Sequence, residues 1–351
     1  MGALGVSRPD HPAELFVAGI GAWLPAAVPV EDVIRQGICD EQTVRRSEML
    51  GVTVDGTDEV PAEMAVRAAR AALAQAGHGG HEIAVVLHAY LFDQGNDLWS
   101  PAGYVQRRTL GGQCPAIGIQ QVSNGGMAAL DVARAYLRAW PQARAALVTT
   151  ADRFCLPGFD RWHSDPGTVY ADGGTALVLS KVDGFARLLA LELVSGPELE
   201  GMHRAGPALG VGQRVLDRPV SLGAHKRAFV EQVGNGAAME HIVSGQRAAM
   251  DAALAASGTK LSEIDWFVLP HFGVRRLQSN YLRHLEVAVE RTNWEFSRTV
   301  GHLGAGDQIA SLAHLLRSGA LRPGQRCMLM AVGAGFTWSC GVLEVTRTPY
   351  W

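Results

Sequence analysis

A chain of 351 residues with 48% apolar side chains carries enough hydrophobic mass to bury a substantial core, in one large domain or two smaller ones. Its 31 basic and 34 acidic residues leave a formal charge of −3, which excludes a general electrostatic pull toward nucleic acid or anionic lipid. Five scattered cysteines (Cys39, Cys114, Cys155, Cys327, Cys340) with no CxxC pair argue against a disulfide framework and against a zinc site. The opening MGALGVSRPDHPAE has no apolar core of signal-peptide type, and no later run is long enough to span a bilayer. The expectation is a soluble cytoplasmic protein without metal, membrane or nucleic-acid partner.

After a polar tail, LFVAGIGAWLP reads as a first strand closed by proline, and 30–52 as short helices carrying Arg35, Arg45 and Arg46. Ala62 to Ala76 is an alanine-rich helix stopped by Gly77, and EIAVVLHAY follows as an apolar strand. Trp99 to Leu110 reads as a further helix. Then comes IQQVSNGGMAALDVARAY, a strand end, a polar elbow at Ser123 and an amphipathic helix whose first residues are small enough for close packing. Ala145 to Thr150 and ADGGTALVLSKV read as two more strands. A serine before Asn-Gly-Gly at a helix start fits an N-cap as well as it fits a nucleophile.

The second half repeats this order. GQRAAMDAALAASG leads into EIDWFVLPHF as the Ala62 helix leads into EIAVVLHAY, with Glu82 and Ile83 opposite Glu263 and Ile264, a shift of 181. GHLGAGDQIASLAHLLRSGALRPGQRCMLMAVGAG lines up with SNGGMAALDVARAYLRAWPQARAALVTTA at nearly the same shift. Two duplicated α/β halves, 1–183 and 184–351, are expected, with their sheets layered around shared central helices. In such layers, ligands gather where strand ends meet helix N-termini. Ser123, His271 and His302 fall on equivalent turns there.

Together the three polar side chains describe acyl chemistry. A serine hydroxyl is too weak an acid for a helix dipole to ionise, so it needs a base, and either histidine fits. The other would hold an oxyanion or activate the incoming nucleophile. Asp307 stands ready to orient His302, or simply to stabilise the first turn of its helix. The amides of Ser123 and Ala334, the latter in the small-residue turn VGAG, are the candidate oxyanion donors, and a bare β-bulge is the alternative for those glycines.

These residues resemble β-ketoacyl-acyl carrier protein synthase III and its thiolase-fold relatives. GAGFTWSCGVLEV resembles the family's closing signature, YADGGTALVLS its glycine-rich strand, VLPHFG its histidine motif, and RTVGHLGAGD stands where the family has a GN motif. The resemblance spans nearly the whole chain. It implies a thiolase-like fold in an α-β-α-β-α arrangement, and a homodimer whose acyl pocket is partly closed by the other subunit. The family has cysteine at the position of Ser123 and asparagine at that of His302, so its Cys-His-Asn set becomes Ser123-His271-His302 here. Gln42 stands where a tryptophan commonly stacks on the coenzyme A adenine, Arg46 matches the neighbouring arginine, and Pro166 replaces another arginine.

What the resemblance implies for function is transfer of an acyl group from a carrier-protein or coenzyme A thioester, through acyl-Ser123, to a hydroxyl or amino group of a small natural-product acceptor. No bound cofactor is implied beyond the acyl-CoA or phosphopantetheine-linked substrate. The setting would be polyketide or antibiotic biosynthesis. Arg35, Arg45, Arg46 and Lys226 are the candidates for docking the carrier or coenzyme arm. Tyr90, Trp99, Phe154 and Phe159, with Phe92 and Leu98, are candidates for the acyl pocket, and 202–226 for a flexible cover. A starter-unit ketosynthase condensing with malonyl-carrier protein is the alternative, and a catalytically degenerate partner subunit is a second one.

Overall fold

A computed structural model describes residues 14–204 and 219–351. Its strands, in chain order, are β1 (Phe16–Trp23), β2 (Ala27–Pro29), β3 (Gly51–Thr53), β4 (Ile83–Ala89), β5 (Ala116–Ile119), β6 (Ala145–Asp152), β7 (Gly173–Ser180), β8 (Ala186–Ser195), β9 (Trp266–Val268), β10 (Arg326–Gly333) and β11 (Thr337–Val345). β2 and β3 form a small hairpin-like pair, and the other strands follow the order β5-β4-β6-β7-β1-β8-β11-β10-β9. That order is nearly a palindrome. On each side a parallel outer pair, β4 with β6 or β9 with β10, leads inward through antiparallel neighbours to β1 or β8. The two sides meet at β1 and β8, where Phe16 pairs with Arg187 and Val17 with Ala186. A parallel bridge from Phe267 to Thr292 lies where the second side would have its counterpart of β5.

The strands alternate between two faces, and each face has its own core. On the first side Val17, Leu87, Val148 and Leu177 point inward to a cluster shared with the helices Gly125–Ala139 and Asp307–Arg317, whereas Val86, Leu147 and Val178 point outward to the helix Pro61–Ala76. On the second side Val268, Leu329 and Leu343 face that same central cluster, and Phe267, Met328 and Val342 face an outer one covered by the helix Asn235–Ser257. Three cores therefore separate five layers, helix, sheet, helices, sheet, helix. This is the mixed α/β architecture that the repeat leads one to expect.

Local sequence explains the tight outer layer. Pro61 opens the long helix, Gly77 closes it at φ 64°, and its alanines lie flat on β1. A Cβ at Gly19 would fall 2.0 Å from the Ala72 carbonyl oxygen, and one at Gly21 2.2 Å from that of Ala68. The alternating glycines of FVAGIGAW and the alanine run of the helix are thus two sides of one contact. The segment 30–52 contains the helices Val30–Arg35 and Glu41–Ser47, but ends in β3, and the expected helix from Trp99 is Pro101–Thr109, capped by Ser100 through the Gly103 amide. Of the suspected cover 202–226, residues 205–218 lie outside the described part. Met202 lies in a 3₁₀ turn, Pro197–His203, and Lys226 belongs to the helix Leu222–Val233.

The central helices meet end to end at their N-termini. A Cβ on Gly126 would sit 2.4 Å from the Ala305 carbonyl oxygen. Replacing Gly126 by alanine should therefore push the two helix starts apart and cost about 1–3 kcal/mol of stability. Urea unfolding should show it as a lowered midpoint with unchanged slope.

A candidate active site at the meeting of two central helices

Ser123 lies in the 3₁₀ turn Val122–Asn124 that runs into the central helix Gly125–Ala139. It is not the helix cap. The capping position is Asn124, and no side chain caps the helix there. Val122 has φ 50°, a left-handed conformation that a β-branched residue rarely adopts, at a cost of about 1–3 kcal/mol. The chain turns sharply at that point, and Ser123 follows it, partly exposed to a cavity. From the other half, β10 ends on this turn: a Cβ on Gly333 would stand 2.4 Å from the Gln121 carbonyl oxygen. Ala334, next along, lines the same cavity.

His302 comes from the turn before the second central helix. Its backbone is clamped on both sides, the amide donating to Val169 at 2.8 Å and the carbonyl accepting from Ala171 at 2.8 Å. The Tyr170 ring stands edge-on at 4.9 Å. Held this way, His302 places Nε2 2.8 Å from Ser123 Oγ and Nδ1 2.6 Å from Asp307 Oδ2. An ionised carboxylate only accepts, so Nδ1 carries the proton and Nε2 is left to accept from the serine hydroxyl.

Asp307 opens the helix Asp307–Arg317 and is wholly buried. Burial by itself would raise its carboxyl, but His271 and His302 beside it, the His302 hydrogen bond and the His271 amide hold it below the usual carboxylate range. Oδ1 accepts from the Leu303 amide at 2.8 Å, and Oδ2 from the His271 amide at 2.8 Å as well as from His302. The start of the helix favours the same negative charge.

His271 departs from expectation. Its Nδ1–H donates to the Gly301 carbonyl at 2.7 Å, and its Nε2 lies 2.7 Å from Ser311 Oγ, which in turn accepts from Asn293 Nδ2 at 2.8 Å. Both ring nitrogens are spent, burial pushes the imidazole pKa down, and the side chain is not part of the cavity wall. The three polar side chains thus do not share one point. Ser123 and His302 meet, Asp307 completes them, and His271 supports Asp307 from behind through its backbone amide. The reason is the Asn293–Ser311 pair, which nothing in the sequence motif announced.

The cavity measures about 1320 Å³. Tyr90, Phe92, Leu98, Trp99 and Phe159 line one part of it. Phe154 does not: it is fully buried behind the wall, its ring 5.8 Å from Phe92, 5.3 Å from Phe159 and 4.7 Å from Tyr170. Lys226 also lies in the wall, bonded to Asp165, which takes Arg276 as well at 3.1 Å. Burial first, then Arg276, brings the Lys226 ammonium down to about 8, while burial and Lys226 bring His203 down to about 3. Burial opposes the Asp165 charge, but the two cations hold that carboxyl well below its ordinary value. This cluster leaves two cations on one carboxylate. Asp165, Arg276 and His203 carried no sequence signal that marked them.

Arg45 and Arg46 lie apart, on a shallow depression of about 390 Å³ with Gln42 and Arg275, and Arg275 also borders the main cavity. Arg45 is paired with Glu41 at 2.6 Å. Arg35 borders neither hollow and is paired with Asp32 at 3.0 Å. Among the described residues, no cluster of three or more His, Cys, Asp or Glu side chains could hold a metal ion, and no helix is long and apolar enough to cross a membrane.

Comparison with known proteins sets this geometry in a family. The fold superimposes on the solved structure of ChlB3, described as an acyltransferase, with a TM-score of 0.90 and 35% identity over 95% of this chain and 98% of that one. The chain belongs to the β-ketoacyl-acyl carrier protein synthase III-like, thiolase-fold family. Residues 117–197 match the family profile "3-Oxoacyl-[acyl-carrier-protein (ACP)] synthase III", and 254–345 match its C-terminal counterpart. The β-ketoacyl-[acyl-carrier-protein] synthase III of Neisseria meningitidis serogroup A is 27% identical over 335 residues, 93% of this chain and 98% of its own length. The corresponding enzyme from Pseudomonas aeruginosa PAO1 shares the fold at a TM-score of 0.74 and 24% identity, covering 95% of this chain and 99% of that one. As a member of this family the protein is an enzyme of the acyl-transferring class.

Two substitutions separate support from chemistry. Ser311→Ala leaves the His271 and Asn293 polar atoms unsatisfied in a buried place and should cost about 1–3 kcal/mol in urea unfolding. Asp307→Asn removes the charge that fixes the His302 tautomer. Single-turnover acylation should fall about 10²- to 10⁴-fold in the folded variant.

Proposed function

We propose that the protein takes an acyl group from a carrier-protein or coenzyme A thioester onto Ser123 and passes it to a hydroxyl or amino group of a small natural-product acceptor. The observation that carries this reading is the chain of contacts from Ser123 Oγ through His302 to Asp307, at 2.8 Å and 2.6 Å. As Ser123 attacks the thioester carbonyl, its proton moves to His302 Nε2, and Asp307 stabilises the imidazolium. The developing oxyanion is assigned to the amides of Ser123 and Ala334, two residues that line the same cavity. The thiolate leaves and takes up the proton that His302 holds, the acceptor enters, and the neutral His302 takes the acceptor's proton as it attacks acyl-Ser123 and returns it to Ser123 Oγ as the ester bond breaks.

His302 is thus the base for Ser123, the choice that the sequence left open. The same geometry weighs against condensation. A pair of histidines to hold a malonyl carbonyl during decarboxylation would need His271 Nε2, which Ser311 occupies. A degenerate subunit has no call for a complete serine–histidine–carboxylate chain opening on a cavity. ChlB3, whose name carries the acyltransferase description, supports the transfer reading by likeness. The halves 1–183 and 184–351 then each contribute one side of the site, as duplicated units. A homodimer in the cytoplasm, serving polyketide or antibiotic biosynthesis, is the setting that the family suggests.

For the donor, the Lys226–Arg276 pair on the cavity wall suits the phosphate of a pantetheine arm, with Arg275 leading outward to Arg45 and Arg46. Gln42 gives no aromatic surface for an adenine, which favours a carrier protein over free coenzyme A. Arg35 has no place in this path.

Incubation with acetyl, butyryl and benzoyl N-acetylcysteamine thioesters should add the corresponding acyl mass to the intact protein, and Ser123→Ala should abolish the gain. Wild-type protein that gains no mass from any donor, including acyl-carrier protein, contradicts the reading. Released carbon dioxide and a β-ketoacyl product with malonyl-carrier protein would establish condensation instead.

A further inference from the structure

The geometry points to a second donor class: the site also accepts oxygen esters, and so acts as an esterase and ester-exchange enzyme without any thioester. This inference rests on the acyl-Ser123 reading above. It comes from the count of proton carriers at the reacting point. Both His271 nitrogens are occupied by Gly301 and Ser311, and of the two histidines that line the cavity, His203 and His302, it is His302 that is hydrogen-bonded to Ser123. One imidazole must therefore serve both the step that loads serine and the step that unloads it.

A thioester donor asks little of that imidazole on departure, because a thiol ionises near a pKa of about 8.5 and its thiolate leaves unaided. An alkoxide does not leave unless it is protonated. His302, once it has taken the Ser123 proton, holds that proton at Nε2, next to the atom that departs, and the Asp307 carboxylate keeps the imidazolium stable until it is delivered. The unloading step by an alcohol, run backward, is the cleavage of an oxygen ester by Ser123. Acyl-Ser123 is itself an oxygen ester, so exchange between it and an alkyl ester has no large energetic bias in either direction. A cysteine in that place would have to climb to a thioester.

Ser123 Oγ adds to the ester carbonyl while its proton passes to His302 Nε2. The adduct collapses with loss of the C–O bond to the alcohol, and His302 returns the proton to the departing oxygen. Acyl-Ser123 and a free alcohol result. Water then gives the carboxylic acid, or a second alcohol gives a new ester, by the same steps in reverse, and Ser123 regains its hydroxyl. A cavity of about 1320 Å³ leaves room for an acyl group together with an alcohol.

The experiment compares ethyl acetate, ethyl butyrate and ethyl benzoate with the N-acetylcysteamine thioesters of the same acids. Intact mass reports the acyl adduct, and ethanol is measured by gas chromatography; butan-1-ol is added in a parallel reaction to collect the butyl ester. An acyl group that loads from its thioester should load from its ethyl ester too, with ethanol released at least 100-fold faster than by Ser123→Ala of equal melting temperature. Butyl ester should appear with it. Thioester loading without ethyl-ester adduct, or ethanol release equal to that of Ser123→Ala, overturns this inference and leaves the acyl-Ser123 reading standing. Failure of both donor classes overturns that reading itself.

Discussion

A single buried carboxylate holds the site together. Asp307 sits at the start of a central helix with no exposure to water, and its charge is sustained by the Leu303 and His271 amides, by His302 and by the helix end. A carboxylate left alone in such a place would neutralise instead. Here every partner is itself fixed by the fold. The His271 amide is set by the imidazole it belongs to, pinned between Gly301 and Ser311, and His302 by its backbone pairing with Val169 and Ala171. The direction of the His302 ring, and with it the hydrogen bond to Ser123, follows from this one charge.

The fold makes such an arrangement possible by bringing two helix N-termini to one place. Gly126 and Ala305 touch backbone to Cα, and Gly333 of β10 rests on the turn that carries Ser123. The turn that carries Ser123 then meets the turn that carries His302 and Asp307, and Ala334, just past the end of β10, lines the same cavity. At the Ser123 turn the strain falls on Val122, where a left-handed φ turns the chain just before Ser123. The surrounding contacts over-determine that conformation, as is common where a side chain must be aimed.

Much of this was legible in the sequence, and the parts that were not have a common reason. The apolar run of EIAVVLHAY, the buried strand Ala145 to Thr150, the alanine-rich helix stopped by Gly77, and the constant offset between the two parts of the chain pointed to the layers. They depend on local patterning and on copying, which a chain displays directly. Ser123 and His302 could be named because they fall on equivalent turns. The fate of His271 could not be read, since it hinges on Ser311 and Asn293, residues on two other elements with no motif of their own. Phe154 and Phe159 look alike in sequence, yet one lies behind the cavity wall and the other in it. Asp165 and Arg276 likewise become partners of Lys226 only when three separate segments close on the cavity. Long-range pairing of ordinary side chains leaves no local trace.

The proposed chemistry depends on where an acyl group is held. A crystal structure of the protein trapped after reaction with a slowly released acyl thioester measures this directly. Density should be continuous with Ser123 Oγ, with the acyl carbonyl oxygen within hydrogen-bond distance of the Ser123 and Ala334 amides, and His302 Nε2 should face open cavity while Nδ1 stays on Asp307. An acyl group on any other side chain, or a His302 ring turned away from Ser123 toward another partner, would contradict it.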